Sequence, residues 1–371
     1  MKKGQCVVML VTVLTAALFL IGSNPAIAKV IKWRVVTTWT PAITLIKSDQ
    51  HFVDTVNEIC KDELELRLFP AGEIVSSFEV FSAVQSGTVQ GGFDWPGYWA
   101  GKNTAFGVLG ALPGGPCQMD LLTWIYKGGG AELAEEVYGK FGMKYFYTNV
   151  ISAESGVRGN KAFTKLSDFK GAKIRMSGMF QGQILKELGA AQVMVAGQEI
   201  YQALEKGVID AAEFSTPDND WGLGFQEVTK IWNVPGWHQP GSNAGIMISN
   251  KAWNELPKTV QAKIKWAAMA NTLWSAAHYN MESGIYAKKF MDKGTKVAHL
   301  DDAALAEIQK MSYKVYLDEA QKNPLFAKCV YSLYQTMSVL ANFRDKEIAL
   351  LKRSITLPDM EELRKAAEKA K

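Results

Sequence analysis

VFSAVQSGTVQGGF, residues 80–93, and IYQALEKGVIDAAEF, residues 200–214, decide how this 371-residue chain is read. In each, a hydrophobic-aromatic pair opens a helical spacing, and a glycine, Gly87 or Gly207, stops it. A β-branched pair then starts a strand. Glycine belongs at such a stop because it enters the left-handed conformation of a helix C-cap without a Cβ clash. A strand-like stretch also precedes each copy: LELRLFPAGE (64–73) before the first, AKIRMSGM (172–179) before the second. The repeated order predicts two α/β domains of similar architecture, each with its own parallel sheet.

Working outward, VIKWRVVTTW (30–39) alternates and is β-branched, as a strand is. IKSDQHFVDTVNEIC (46–60) has helical spacing and leads into LELRLF, completing a βαβ unit. From Leu256 to Gly294, apolar residues recur at three and four with no proline after Pro257. A helix of that length without heptads is read as a spine crossing domains. TLPDMEELRKAAEKAK (356–371) starts with Thr356 three before Asp359 and has Pro358 in its first turn, so a capped, solvated helix is expected.

The N-terminus has Lys2 and Lys3, an apolar run, and Ala26-Ile27-Ala28, which together read as a secretory leader cleaved after Ala28. No cysteine follows that box, so no lipid anchor is expected. Past the leader the chain is nearly neutral, which argues against a nucleic-acid partner. Cys60, Cys117 and Cys329 show no CxxC spacing and read as buried thiols or at most one bridge. With His51, His238, His278 and His299 the only histidines and no HExxH, a zinc enzyme is poorly supported.

Ligands of open α/β sheets bind outside the carboxyl ends of the strands, and with two such domains the natural place is the cleft between them. The residues just past expected strand ends are Trp39, then Asp94 and Trp95, then Glu154, Arg175, and Glu213 with Phe214. Trp237 and Gln239 join them from the Pro/Gly-rich VPGWHQPGSN. No nucleophile elbow, P-loop or GxGxxG after a strand occurs, so no catalytic residue is assigned and the chain is read as not an enzyme. Glu154 and Glu213 could still serve a secreted carbohydrate-active hydrolase as paired carboxylates, though a nearby arginine would hold both ionised. Arg175 is either a surface charge pairing with Asp168 or Glu187, or a planar fork for a bound carboxylate.

FPAGEI, GTVQGGFDWPGYWAGK, YKGGG, FKGAKIRMSGM, AGQEIYQALEKGVIDAAEF and VPGW run in order over nearly the whole chain after the leader. In them the sequence resembles the solute-binding proteins of tripartite ATP-independent periplasmic (TRAP) transporters, and specifically their 2-oxo acid-binding members. The resemblance implies an α/β, two-domain periplasmic-binding-protein fold with a hinge, a ligand cleft between the domains and a long helix spanning both. The division then expected is a leader at 1–28, domain I at 29–150, and domain II at 151–238. Domain I resumes at 239–255, the spanning helix is 256–294, and 295–340 completes domain II. The segment 341–371 forms C-terminal helices, an arm through which a homodimer is expected.

The resemblance also implies a periplasmic location and delivery of a small organic acid to TRAP permease subunits; a ligand-sensing periplasmic domain is the other reading. By position, Arg175 matches the arginine that holds the ligand carboxylate, and Glu213 and Phe214 match a Glu-Trp pair at a cation. Glu154 falls where relatives have glutamine, and Gln239 where they have glutamate, so the formal charge is kept. Glu154, Glu213, Phe214 and Gln239 are thus the expected ligands of a sodium or calcium ion bridging the acid; oxygen donors suit both ions. Trp39, Trp95, Phe180, Phe214 and Trp237 favour an apolar tail, as does Val150. Arg158 would admit a second carboxylate if it reached the cleft. The expected ligand is a monocarboxylic 2-oxo or 2-hydroxy acid with a branched or aromatic side chain.

Overall fold

The computed structural model describes residues 30–351. The leader, the helix expected from Thr356 and most of the terminal arm lie outside them. β1 (Ile31–Thr37), α1 (Leu45–Ile59) and β2 (Leu64–Phe69) form a strand–helix–strand unit with the two strands parallel. α1 turns Leu45, Phe52, Val53 and Val56 inward, one face of a 3.6-residue period. α2 (Val80–Gln85), β3 (Gly91–Asp94), α3 (Ala105–Gly110), α4 (Gln118–Lys127), α5 (Gly130–Gly139) and β4 (Met143–Ile151) complete the first half.

The second half holds β5 (Arg158–Gly159), β6 (Lys173–Arg175), α6 (Met179–Glu187), β7 (Ala191–Val193) and α7 (Gly197–Glu205). β8 (Ala211–Ala212), α8 (Pro217–Gly222), α9 (Phe225–Val228) and β9 (Ile231–Val234) follow. The chain returns through β10 (Ser242–Ser249), α10 (Asn250–Asn254), α11 (Lys258–Asp292), β11 (Lys296–His299), α12 (Asp302–Ala320) and α13 (Pro324–Leu351).

The repeated stretch folds alike twice. Gly87 (φ 76°) and Gly207 (φ 68°) both sit in the left-handed region after α2 and α7. The N–H of each bonds back to a helix carbonyl, Val84 and Leu204 respectively, and the chain then enters β3 or β8.

The sheets are not purely parallel, which corrects the expectation. The first runs β2-β1-β3-β10-β4, with β10 antiparallel to both neighbours. The second runs β11-β9-β5-β8-β6-β7, with β5 antiparallel to both neighbours. The reversed strands have a common cause. A parallel return needs a long crossover, usually a helix. β5 and β10 are instead reached by the short segments 152–157 and 235–241, which carry the chain from one sheet into the other.

α11 is 35 residues, or roughly 50 Å at 1.5 Å per residue. It packs on β4 and α1 of the first half and, farther along, on α8. Asn271 Nδ2 donates to Ser48 and Thr148 carbonyls, and Phe290 is buried against Trp221 and Arg158. Residues 295–340 do not all complete the second domain. β11 pairs with β9 there, but α13 packs on α3, α4 and α5 of the first half. The reason is burial: Phe326, Cys329 and Leu333 enter the cluster that holds Phe106, Leu109 and Trp124. Each large apolar side chain so buried contributes roughly 1.5–3 kcal/mol.

Cys60 and Cys329 are buried and Cys117 is exposed; all three are free thiols. Among the described residues no helix is long and apolar enough to cross a membrane.

Candidate functional site

The two crossing segments run side by side. Glu154 N–H donates to the Gln239 carbonyl at 3.1 Å. A Cβ at Gly236 would fall 2.2 Å from the Glu154 carbonyl, so only glycine permits this approach. The crossing therefore places Glu154, His238 and Gln239 together, between the sheets, with all three buried.

The second half supplies the charged wall. Arg175 ends β6 and Glu213 follows β8, the strand hydrogen-bonded to it. Both are fully buried, so Arg175 is not a surface charge and pairs with neither Asp168 nor Glu187. Arg175 Nη1 donates to Glu213 Oε1 at 2.8 Å and to the Glu213 carbonyl at 2.8 Å, while Nε reaches the Val195 carbonyl. Ser177 donates to the same Oε1 through both its N–H and its hydroxyl. The expected fork is thus half used: Glu213 competes for it, and Nη2 is the arm without a partner among the described residues.

The first half supplies an aromatic wall. Trp39, Trp95 and Tyr98, with Leu45, Ile151, Phe214, Ser177, Glu154 and Gln239, line one small pocket. Tyr98 packs at 5.1 Å from the Trp95 ring and 6.1 Å from Trp39, and Phe214 meets Trp39 edge-on at 6.4 Å. Trp95 is pinned by its Nε1 bond to Ser242 Oγ (3.0 Å) and by Gly97, where a Cβ would fall 2.1 Å from the indole. Burial pushes the Tyr98 hydroxyl pKa up although Arg175 lies beside it, so the pocket presents a phenol.

Several expected residues lie elsewhere. Trp237 packs on Phe169 and lines a separate crevice with Phe163, Val234 and Leu300. Phe180 is buried against Tyr316 and Phe326, and Val150 lies in the first half's core. Asp94 faces Trp99 and Tyr138, which both donate to its Oδ2, and burial raises its pKa to about 7. Arg158 is tied to Asp220 at 2.7 Å and held between the Trp232 and Phe290 rings, so it does not bring a second cation to the pocket.

His238 and Tyr98 were not singled out from the sequence. His238 Nε2 lies 3.3 Å from Glu154 Oε2 and 3.8 Å from Glu213 Oε2. Burial holds its imidazole pKa below the usual value although the Glu213 charge opposes that, so the ring is neutral at pH 7. Glu154 is pushed well above the usual carboxylate range, first by burial and then by Glu213 and Asp220. Glu154 Oε2, Glu213 Oε2, Gln239 Oε1 and His238 Nε2 are all buried without a hydrogen-bond partner among the described residues. Buried polar atoms are normally paired, and two facing carboxylates both stay ionised only beside positive charge; otherwise one of them takes a proton. This donor set suits a cation.

The family described as bacterial extracellular solute-binding protein, family 7, matches residues 35–323. A monocarboxylate 2-oxoacid-binding periplasmic protein of Nostoc sp. is 30% identical over 305 residues, covering 82% of this chain and 83% of the relative. A TRAP solute-binding protein of Bordetella bronchiseptica, a dimer with calcium and picolinate in one active site, superposes with a TM-score of 0.83 at 26% identity. That match covers 92% of this chain and 99% of the other. A TRAP periplasmic solute-binding protein of Pseudoalteromonas atlantica, with bound sodium and pyruvate, also gives 0.83 at 26% identity, covering 88% of this chain and 100% of the other. With its two α/β halves, crossing segments and spanning helix, the chain belongs to the family 7 bacterial extracellular solute-binding proteins, the solute receptors of TRAP transporters.

Proposed function

We propose that this chain is a non-catalytic periplasmic receptor for a small monocarboxylic 2-oxo or 2-hydroxy acid, exported by cleavage after Ala28, which it binds with a sodium or calcium ion and delivers to a TRAP permease. The observation that carries this reading is the convergence of ligand atoms of Glu154, Glu213 and His238 within 4.8 Å, in a neighbourhood where Gln239 Oε1 and the Nη2 of Arg175, the ion-pair partner of Glu213, are also buried without partners among the described residues. A 2-oxo acid offers a carboxylate and an adjacent carbonyl, both oxygen donors of the kind hard cations take. The ion would offset the two glutamates, which otherwise repel the acid; Arg175 Nη2 would hold the carboxylate directly, and the Phe214 carbonyl would complete the ligands.

The aromatic wall supports a branched or aromatic tail on the acid, because Trp39, Leu45, Trp95, Ile151 and Phe214 offer it apolar surface. Succinate-like diacids lose support because Arg158 is committed to Asp220. The hydrolase reading loses support too. Glu213 Oε1 is taken up by Arg175 and twice by Ser177, so Glu213 is held as a bonded carboxylate rather than as a free acid or nucleophile. A homodimer is supported by Val339 and Phe343, which α13 leaves exposed.

The test is a thermal-shift series with pyruvate, 4-methyl-2-oxopentanoate, phenylpyruvate and succinate, each with and without sodium or calcium. A ligand at a hundred times its Kd stabilises by about 2.7 kcal/mol. Stabilisation is expected from the 2-oxo acids and only with a cation. A response to succinate alone would overturn the ligand class, and turnover detected by mass spectrometry would overturn the receptor reading. Uptake that persists without the permease would favour sensing over transport. Light scattering at micromolar concentration reads the dimer.

A further inference from the structure

The oxygen ligands expected from the sequence leave out the nitrogen that stands among them. We propose that His238 Nε2 ligates the bound cation directly, so that the site takes a first-row divalent ion of the cobalt, nickel or zinc class in preference to sodium or calcium. The inference rests on the reading above that a cation accompanies the acid, and it changes which cation.

Three observations carry it. The first is distance. Ligand atoms of Glu154, Glu213 and His238 all lie within 4.8 Å of one another, with Nε2 at 3.3 and 3.8 Å from the two Oε2 atoms. Donors about 2.1 Å from a shared ion lie roughly 3.0 Å apart at right angles and roughly 3.4 Å apart in a tetrahedron. The His238 nitrogen is therefore within a few tenths of an ångström of ligand spacing from each carboxylate, and the triad closes on one small ion with shifts of under about an ångström.

The second is orientation. Neither His238 nitrogen, nor Glu154 Oε2, nor Glu213 Oε2 has a hydrogen-bond partner among the described residues. The 3.3 Å approach of Nε2 to Glu154 is thus a contact without the alignment of a hydrogen bond. A histidine with no exposed surface, aimed at two unpartnered carboxylate oxygens, lacks the bonds that a structural histidine at this depth makes.

The third is support. The His238 carbonyl accepts from Gln181 Nε2 at 3.1 Å, and the Gln239 N–H closes a turn on the Gly236 carbonyl. The Trp237 ring packs edge-on against the imidazole. These contacts hold the backbone that carries the imidazole and pack one side of its ring, and donor type and geometry are what select among metals. Oxygen-only sets suit sodium, calcium and magnesium, whereas imidazole shifts preference toward first-row transition ions and zinc. One imidazole and two carboxylates leave open positions for the chelating oxygens of a 2-oxo acid.

The test uses the chelator-stripped mature protein with manganese alone and with manganese plus pyruvate. Pulsed electron paramagnetic resonance is expected to show nitrogen-14 coupling to the manganese, and His238→Gln is expected to abolish it. Calorimetry should show zinc or cobalt bound at least tenfold more tightly than calcium, with that preference falling below about threefold in His238→Gln. A bound manganese with no nitrogen coupling, and a preference unchanged in the variant, would overturn the role of His238 while leaving the cation-assisted receptor standing. Failure of every cation to bind, with or without pyruvate, would remove the cation reading and this inference with it. If His238→Gln fails to fold, the wild-type nitrogen coupling alone decides.

Discussion

On one side of the cleft stand Trp39, Trp95 and Tyr98, and on the other Arg175, Ser177 and Glu213. The aromatic side is held by packing, with Trp95 over Gly97 and against Tyr98. The charged side is held by bonds: Glu213 Oε1 alone accepts from Arg175 and twice from Ser177. Packing degrades gradually when a ring is trimmed, whereas a buried charge that loses its partner fails at once. The two walls should therefore answer mutation differently.

The largest effect belongs to the charged wall. Arg175→Met and Glu213→Gln should each weaken binding of a 2-oxo acid a hundredfold or more by calorimetry. Unpairing a buried ion pair costs roughly 3–5 kcal/mol, so the melting temperature should fall as well. Arg175 ends a strand, yet its burial means that binding and stability do not separate there. Near wild-type affinity in either variant would shift recognition to the aromatic wall and break the contrast.

A smaller, selective effect is expected from Phe214→Trp. The Phe214 ring lies against Gly197, where a Cβ would sit 2.6 Å from it, so a larger ring must push into the pocket. Overpacking costs roughly 1–3 kcal/mol. Affinity for 4-methyl-2-oxopentanoate should fall about tenfold while pyruvate changes little. Equal loss for both acids would show that the tail does not reach this ring.

The smallest effect on binding is expected at Asp94, the carboxylate that the aromatic wall keeps out of the pocket. Its pKa is about 7 in the fold, raised mainly by burial, against about 3.9 in an unfolded chain. The native state thus holds more protons than the unfolded one between these values. Its contribution to stability is full below about pH 4 and is lost as pH rises through 7. Asp94→Asn should flatten that slope in urea titrations from pH 4 to 7 and leave acid affinity unchanged. Altered affinity would place Asp94 in the binding wall after all.

How much of this was legible depended on whether the signal was local. Alternation in residues 30–39 and the glycine stops at Gly87 and Gly207 are local, and the elements follow them. The strand-end rule brought Arg175 and Glu213 to adjacent strands because their spacing follows the repeat. Strand direction is not local: nothing in SNAGIMIS says that β10 runs against its neighbours. The crossing segment misled for a geometric reason. Extended chain would put Trp237 and Gln239 on one face, but turns at Pro235 and Gly236 rotate it. His238 then faces the glutamates, and Trp237 faces Phe169. Tyr98 was hidden in the single turn Pro96–Trp99, which no strand-end argument reaches.

The spanning helix has a consequence for how loading can be noticed from outside. Asn271 fastens α11 to the first half at Ser48 and Thr148, and Phe290 fastens it to the second at Arg158 and Trp221. An unbroken helix is close to inextensible, so the span between those two fastenings is the same whether the halves are apart or together. In any closure of the halves on a ligand it would be the fixed pin of a caliper, whose jaws move while the pin does not. A membrane partner that released cargo only from a filled receptor would gain no information along α11. It would have to gauge the jaws, on surfaces that the rod does not hold.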